Sequence, residues 1–388
     1  MRPSRRLETR RIVTLSGEMT FSRVVFRCRA CRTSSAPLDA ELGAAPGQKF
    51  TRRVRRAICF AAANGSFADA ATAMAENFAL AVGHSQAAEI ANKEGERIAA
   101  AAEEREEKWR EGELPPEEQP NTLVLLADAT SVLTRAGEDH KMITLVRGYD
   151  LGGRVTANTA APPDDAKAPS RPMLASSRYA GTAAEQACAG GVQSDLARRI
   201  MALARRLGAD GARRIVALAD GNPVFWEIMA ELFPDAIFIQ DLWHVVEYLS
   251  EASKAAARPG EDPAQLREKW AHALKEQGGI ERILGDLARA TKRVRSGAKR
   301  EVLRRAAGYL ESGRERMDYP AFLAAELPIG SGPIEAACKH LVKERFNLAG
   351  ARWSRRNCGK ILALRLAIAN EEWLMHWRPS GNQQLGVA

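Results

Sequence analysis

A chain of 388 residues has room for two or three domains, and 45% hydrophobic residues suffice to build their cores. A net charge of +9 and a pI near 9.4 favour an anionic partner such as nucleic acid. Six cysteines at this length exclude a disulfide framework, no apolar run approaches the roughly 18 residues of a membrane span, and the N-terminus lacks the apolar core of a secretory signal, so the expected location is the cytoplasm.

The chain opens with two strand-like runs, Arg11 to Leu15 and Met19 to Phe26, around the turn Ser16-Gly17-Glu18. The hairpin leads into Cys28-Arg29-Ala30-Cys31. A C-x-x-C knuckle is half of a zinc ribbon, and tetrahedral zinc needs four ligands. No Cys or His precedes Cys28, and the next candidates, Cys59 and His84, fall in helical pattern. The expectation is a truncated zinc-ribbon-like hairpin (1–47), with Cys28 and Cys31 a residual knuckle and no complete zinc site from this chain alone.

Helical spacing begins near Phe50. It predicts helices over Val54 to Ala63, Phe67 to Ala79 with Ser66 as its cap, and His84 to about Trp109. Three helices with tight glycine turns allow a helix-turn-helix module, with Arg52, Arg53, Arg55 and Arg56 as phosphate contacts. A plain bundle with a solvated basic face fits the same pattern. The acidic stretch Glu103 to Glu118, closing on Pro115-Pro116, reads as helix end and linker. The second domain is therefore placed at 48–116.

Thr122 to Ala127 is a strongly apolar strand ending on Asp128, and Lys141 to Val146 is a second, followed by Gly152-Gly153. Ala160 to Arg171 reads as loop, and Gln193 to Leu207 as helix. Next comes strand Ile215 to Ala219 ending on Asp220, a helix from Val224 to Phe233 opened by Pro223, and strand Ala236 to Ile239 ending at Asp241. Two strands around a crossover helix make a βαβ unit, and such sheets place their chemistry at the carboxyl ends of the strands. Both Asp residues are also candidates for simple helix caps. The fold class is α/β with a mixed sheet, its first part spanning 117–250.

From 251 to 327 the pattern is helical, with one basic run from Lys292 to Arg305, and reads as an insertion. Gly330-Ser331-Gly332-Pro333 is a tight turn opening a helix with Glu335 in its first turn. That helix and a last one over Lys360 to Trp373 complete the sheet domain (328–377), before a polar tail (378–388).

Asp128, Asp220 and Glu335 stand out as carboxylates from three separate elements. Two divalent ions about 3.5–4 Å apart can activate water and then a DNA 3′-hydroxyl for in-line attack on phosphate, and hard Mg²⁺ or Mn²⁺ prefers carboxylate oxygens. A first-turn Glu335 would equally complement its helix dipole. Lys339 and Lys343 follow Glu335 at four-residue intervals and share its face; with Arg345 and Arg352 they are candidate phosphate contacts, or a solvated charged face.

The segments FRCRAC followed by PLDAELG, LADAT, ALADGNPVFW, QDLWHVVEYL and, above all, PIGSGPIEAACKHLVKERFNLAGARWS resemble the DDE transposases of bacterial insertion sequences, closest to the ISKra type. The resemblance runs from about residue 12 to 377. It implies an RNase H-like catalytic domain with a helical insertion, and metal-dependent cutting and joining of DNA with no covalent protein intermediate. It also implies Asp128, Asp220 and Glu335 as the acidic triad on Mg²⁺ or Mn²⁺, double-stranded transposon-end and target DNA as partners, and a homo-oligomer on that DNA. Asp241 and His244 match an Asp-x-x-His segment to which no role is assigned. An upstream C-x-x-C usual in such proteins is missing, and position 222 is Asn where a small residue is common. Two other readings compete: a catalytically inactive or truncated transposase-derived DNA-binding protein, and a stand-alone RNase H-like nuclease.

Overall fold

The computed structural model describes residues 2–28, 31–44, 47–135, 141–151, 177–183 and 194–378. The expected turn at Gly152-Gly153, the loop over Ala160 to Arg171 and the tail beyond Arg378 lie outside them. The chain forms two compact units, one of Met1–Glu104, Ser131–Lys141 and His340–Ala388, the other of Arg105–Thr130 and Met142–Lys339. The segment 328–377, expected to complete one domain, divides at His340.

In the first unit, β1 (Arg2–Thr14) and β2 (Gly17–Arg27) form an antiparallel hairpin. Its turn is locked by Thr14, whose Oγ1 donates to the Gly17 carbonyl and accepts from the Ser16 amide. β1 is longer than its apolar pattern suggested, because backbone pairing carries it through polar residues. A short β3 (Ser34–Ser35) adds to β2, and α1 (Pro37–Glu41) brings Asp39 between Arg10 and Arg23, with which it forms buried ion pairs.

Three helices follow: α2 (Arg52–Asn64), α3 (Phe67–Phe78) and α4 (His84–Arg110). Ser66 and Asp69 form a reciprocal capping box at the start of α3. Ile58, Cys59, Ala62, Met74, Ala87 and Ala91 are buried.

The second unit holds a five-stranded mixed sheet. Its strands are β4 (Thr122–Val132), β5 (Lys141–Asp150), β6 (Arg178–Thr182), β7 (Arg214–Ala219) and β8 (Ile237–Gln240), in the order β6-β5-β4-β7-β8. β4, β7 and β8 run parallel, and β5 and β6 antiparallel to each other. β6 (RYAGT) escaped the sequence reading, since it is short, carries a glycine and lacks apolar alternation.

Helices α5 (Asp195–Arg206) and α6 (Pro223–Leu232) cover one face of the sheet. Leu123, Leu125 and Ala127 of β4 point into that core with Ala217 and Ala219 of β7. The alternate residues Val124, Leu126, Val216 and Leu218 are fully buried on the other face. Burial on both faces is why β4 reads as a continuous apolar run.

After β8 the chain is helical: α7 (Leu242–Ala256), α8 (Pro263–Ala273), α9 (Gly279–Arg293), α10 (Gly297–Gly313) and α11 (Tyr319–Ala324). Asp262, Ser296 and Asp318 cap α8, α10 and α11. The chain then enters α12 (Gly332–Ala337), a π-helical turn (Cys338–Lys343) and the one-turn α13 (Glu344–Phe346), and later α14 (Arg355–Ala369). Among the described residues no helix is long and apolar enough to cross a membrane.

Candidate active site

The three parallel strands pair up to one level. Ala127 of β4 is opposite Ala219 of β7, and Ala219 is opposite Gln240 of β8. The next residue in each is Asp128, Asp220 and Asp241. Strand side chains alternate, and the preceding residue of β4 and of β7 belongs to the α5–α6 core. Asp128, inside β4, therefore projects to the opposite face, and Asp220 stands level with it just past the last residue of β7. β4 runs on to Val132 instead of ending at Asp128.

Local bonds differ among the three. Asp128 Oδ1 accepts from the Ala129 amide at 2.7 Å, and Asp220 Oδ1 from the Asn222 amide at 3.1 Å. Asp220 does not cap α6: Asn222 does, accepting from the Val224 amide. Gly221 supplies the positive φ of +96° in the turn after Asp220, where a Cβ would meet the Gln240 amide nitrogen at 2.9 Å. The Tyr309 hydroxyl of α10 reaches the Asp220 carbonyl at 3.4 Å, with its ring stacked on Tyr248.

Asp241 is fully buried and caps α7, its Oδ1 accepting from the amides of Trp243 (2.5 Å) and His244 (3.0 Å). Its Oδ2 accepts from the Ser331 amide. Burial pushes its carboxyl pKa up, but the hydrogen bonds of His244 and Ser331 outweigh it and hold the value below the ordinary one. His244 Nδ1 lies 3.6 Å from Asp241 Oδ1, an ion pair too long for a good hydrogen bond. Contact with Asp241 raises the His244 pKa to about 9 against the opposing effect of burial, and the charges of Asp220 and Glu247 add to the rise.

Glu335 joins this group. Ligand atoms of Asp241, His244 and Glu335 all lie within 4.8 Å of one another, and this is the one such set of three among the described residues. Asp128 and Asp220 do not belong to it. The turn that leads to Glu335 is nevertheless anchored on both flanks of the β4–β7 pair. On one flank the Ser331 amide binds Asp241 and the Leu242 amide donates to the Ile329 carbonyl at 2.9 Å. On the other, Arg147 of β5 donates to the Pro333 carbonyl at 2.9 Å. Ser331, read from sequence only as part of a tight turn, donates its hydroxyl to Glu335 Oε1 at 2.6 Å. Its signal was the Gly-Ser-Gly-Pro spelling, in which one hydroxyl stands alone in a tight turn just before the helix that carries Glu335.

The basic residues divide. Arg53, Lys339, Lys343 and Arg352 are exposed, and Arg52 and Arg56 partly so. Two assignments to phosphate contact are corrected. Arg55 pairs with buried Glu94 at 2.8 Å and donates to Gln48 Oε1 and the Phe50 carbonyl. Arg345 is 2% exposed; it donates to the Ala62 carbonyl at 2.8 Å and lies over the rings of Phe67 and Trp353. With Arg365, which donates to the Ala63, His340 and Leu341 carbonyls, it satisfies the open C-terminal end of α2 and the widened carbonyls of the π turn.

Cys28 and Cys31 sit at the end of the β1–β2 hairpin as free thiols, where the Cys28 amide donates to the Thr33 carbonyl. The Thr33 hydroxyl beside Cys31, then the Thr33 backbone and Cys28, lower the Cys31 pKa to about 7. Among the described residues neither thiol belongs to a set of three metal-ligating groups. No family model matches the chain, and no curated protein matches it.

Proposed function

We propose that the chain is a DDE transposase with an RNase H-like catalytic domain, cutting and joining DNA in a metal-dependent reaction. The observation that carries the reading is the parallel register of β4 and β7, which brings Asp128 and Asp220 to the same level on neighbouring strands, with the Glu335 turn anchored to the strands on either side of them. Each Asp has one oxygen held by a backbone amide, which orients the carboxylate without cancelling its charge. An all-oxygen set of this kind suits Mg²⁺ or Mn²⁺. Asp128, Asp220 and Glu335 would hold the ions, which supply an activated hydroxyl and charge neutralisation at the phosphate. His244 lies close enough to Asp220 for that carboxylate to add to the rise in its pKa. Exposed Arg53, Lys339, Lys343 and Arg352 are suited to backbone phosphates. The partners are double-stranded transposon-end and target DNA, bound by a homo-oligomer.

A second reading, a DNA-binding relative without catalysis, draws on the grouping of Glu335 with Asp241 and His244 instead of with Asp128 and Asp220. A Mg²⁺-dependent cleavage assay beside a gel shift, on duplexes carrying the DNA ends that flank the coding region, separates the two. Binding and cutting support the transposase; binding that never cuts, in Mg²⁺ or Mn²⁺, supports the relative.

A further inference from the structure

We propose that Ser331 is the positioning residue for Glu335, and that buried Asp241 holds Ser331 in place. The proposal rests on the reading of Glu335 as the third acid, and gives the Asp-x-x-His segment a role in the site.

A serine at a helix N-cap ordinarily accepts a hydrogen bond from the second or third amide of the helix. Ser331 is the N-cap of α12 and makes no such bond. The second position is Pro333, which has no N–H. The hydroxyl donates instead to Glu335 Oε1 at 2.6 Å, and Ser331 is only 3% exposed. A capping serine thus gives up its usual bond to orient a carboxylate one turn ahead.

The support beneath it is rigid. The Asp241 carboxylate accepts three backbone amides from two segments about 90 residues apart, those of Trp243 and His244 at the start of α7 and that of Ser331. A fully buried carboxylate leaves this arrangement only at a high desolvation cost. The backbone of the turn is fixed as well, through Leu242 to Ile329 and Arg147 to Pro333.

The chemistry of the donor matters. A neutral hydroxyl turns the carboxylate and fixes which oxygen faces outward without cancelling its charge. A lysine or arginine in that position would compete with a metal. Groups that orient a metal ligand through one hydrogen bond are commonly worth roughly 10- to 100-fold in affinity or activity.

The test uses the full chain as wild type, Ser331→Ala, Ser331→Thr and Glu335→Gln. Mn²⁺ binding is followed by electron paramagnetic resonance, and fold by thermal melting. Nicking of supercoiled plasmid in Mn²⁺ is the second readout. Ser331→Ala should melt close to wild type, bind Mn²⁺ about 10-fold more weakly and nick 10- to 100-fold more slowly, at roughly the scale of such orienting bonds. Ser331→Thr, which keeps the hydroxyl, should recover both. A purely structural serine would not move Mn²⁺ affinity. Should the alanine variant not fold, Ser331→Cys keeps the size with a weak donor, and Mn²⁺ affinity below that of Ser331→Thr supports the role while equal affinity overturns it. Wild-type Mn²⁺ affinity in Ser331→Ala beside a loss in Glu335→Gln overturns the positioning role and leaves the three-acid reading standing. Wild-type affinity in Glu335→Gln, or a wild type that binds no Mn²⁺, overturns both.

Discussion

The arginine-rich packing of the first unit and the acidic positions along the parallel strands of the second use charge in opposite ways. In the first, Asp39 is enclosed by Arg10 and Arg23, Glu94 by Arg55 and Arg97, and Arg345 and Arg365 end on backbone carbonyls. Each of these buried charges has its partner inside the protein. In the second, Asp128 and Asp220 are partly exposed and carry one amide each. A charge satisfied internally is structural; one oriented by a single amide and open to solvent can take a ligand.

The sharpest way to break this contrast is at the acids. Glu335→Gln or Asp128→Asn should lower DNA cleavage by roughly 10²-fold or more, since charge stabilisation is the largest usual contribution to such rates. Gel-shift affinity and melting should stay near wild type. If both variants cut normally, the open acids are not the site and the contrast loses its functional side.

Arg55→Ala probes the structural side. It removes one partner of a buried pair, since Glu94 is 5% exposed, at a cost of about 3 kcal/mol. Arg53→Ala, on the same helix but exposed, should stay within about 0.5 kcal/mol. Urea unfolding of the two variants gives the comparison, and equal losses would erase the distinction.

The Asp241–His244 pair joins both behaviours and makes a prediction in pH. The His244 pKa is raised to about 9 in the folded protein. Its stabilising contribution is then fully present below the ordinary histidine value of about 6.5, and is lost as pH rises through about 9. Asp241 has a lowered pKa, so its contribution is present above the unfolded value and lost as pH falls through the folded one. Metal-free protein should therefore lose thermal stability between about pH 6.5 and 9 in a way that His244→Gln does not. Parallel pH profiles for the two would show that the pair adds nothing.

The smallest effect concerns the exposed cations that follow Glu335. Lys339→Ala with Lys343→Ala should reduce the salt dependence of DNA binding by about two units of slope, one for each phosphate no longer neutralised. An unchanged slope would mark them as a solvated face.

Helix positions are legible in the sequence because spacing and capping act locally. The capping Ser66 and Asp69 and the turn at Gly65 place α2 and α3 within a few residues. The acidic positions Asp128, Asp220 and Asp241 are legible because apolar runs stop there. β6 is not, since its pairing with β5 is carried by backbone bonds that leave little mark on side-chain pattern. The burial of Arg55 and Arg345 is hidden for a related reason: an arginine written in a basic run looks the same whether a phosphate or a carbonyl waits for it. The link from Asp241 through Ser331 to Glu335 spans 90 residues in its first step, beyond the reach of any local pattern.

The parallel pairing of β4 with β7 also sets when the acidic face can come into being. Leu123 meets Ile215 across 92 residues, and such long closures are slow because chain entropy is lost before contacts repay it. During synthesis Asp128 emerges early, yet it gains its neighbour only once Asp220 has followed, and Ser331 and Glu335 arrive later still. The helices between β8 and α12 are local structures that form fast, so they are complete before the last carboxylate arrives. Assembly of the face is therefore a late event in folding, and amide exchange at Ala217 and Leu218 should become protected only after that of α9 and α10.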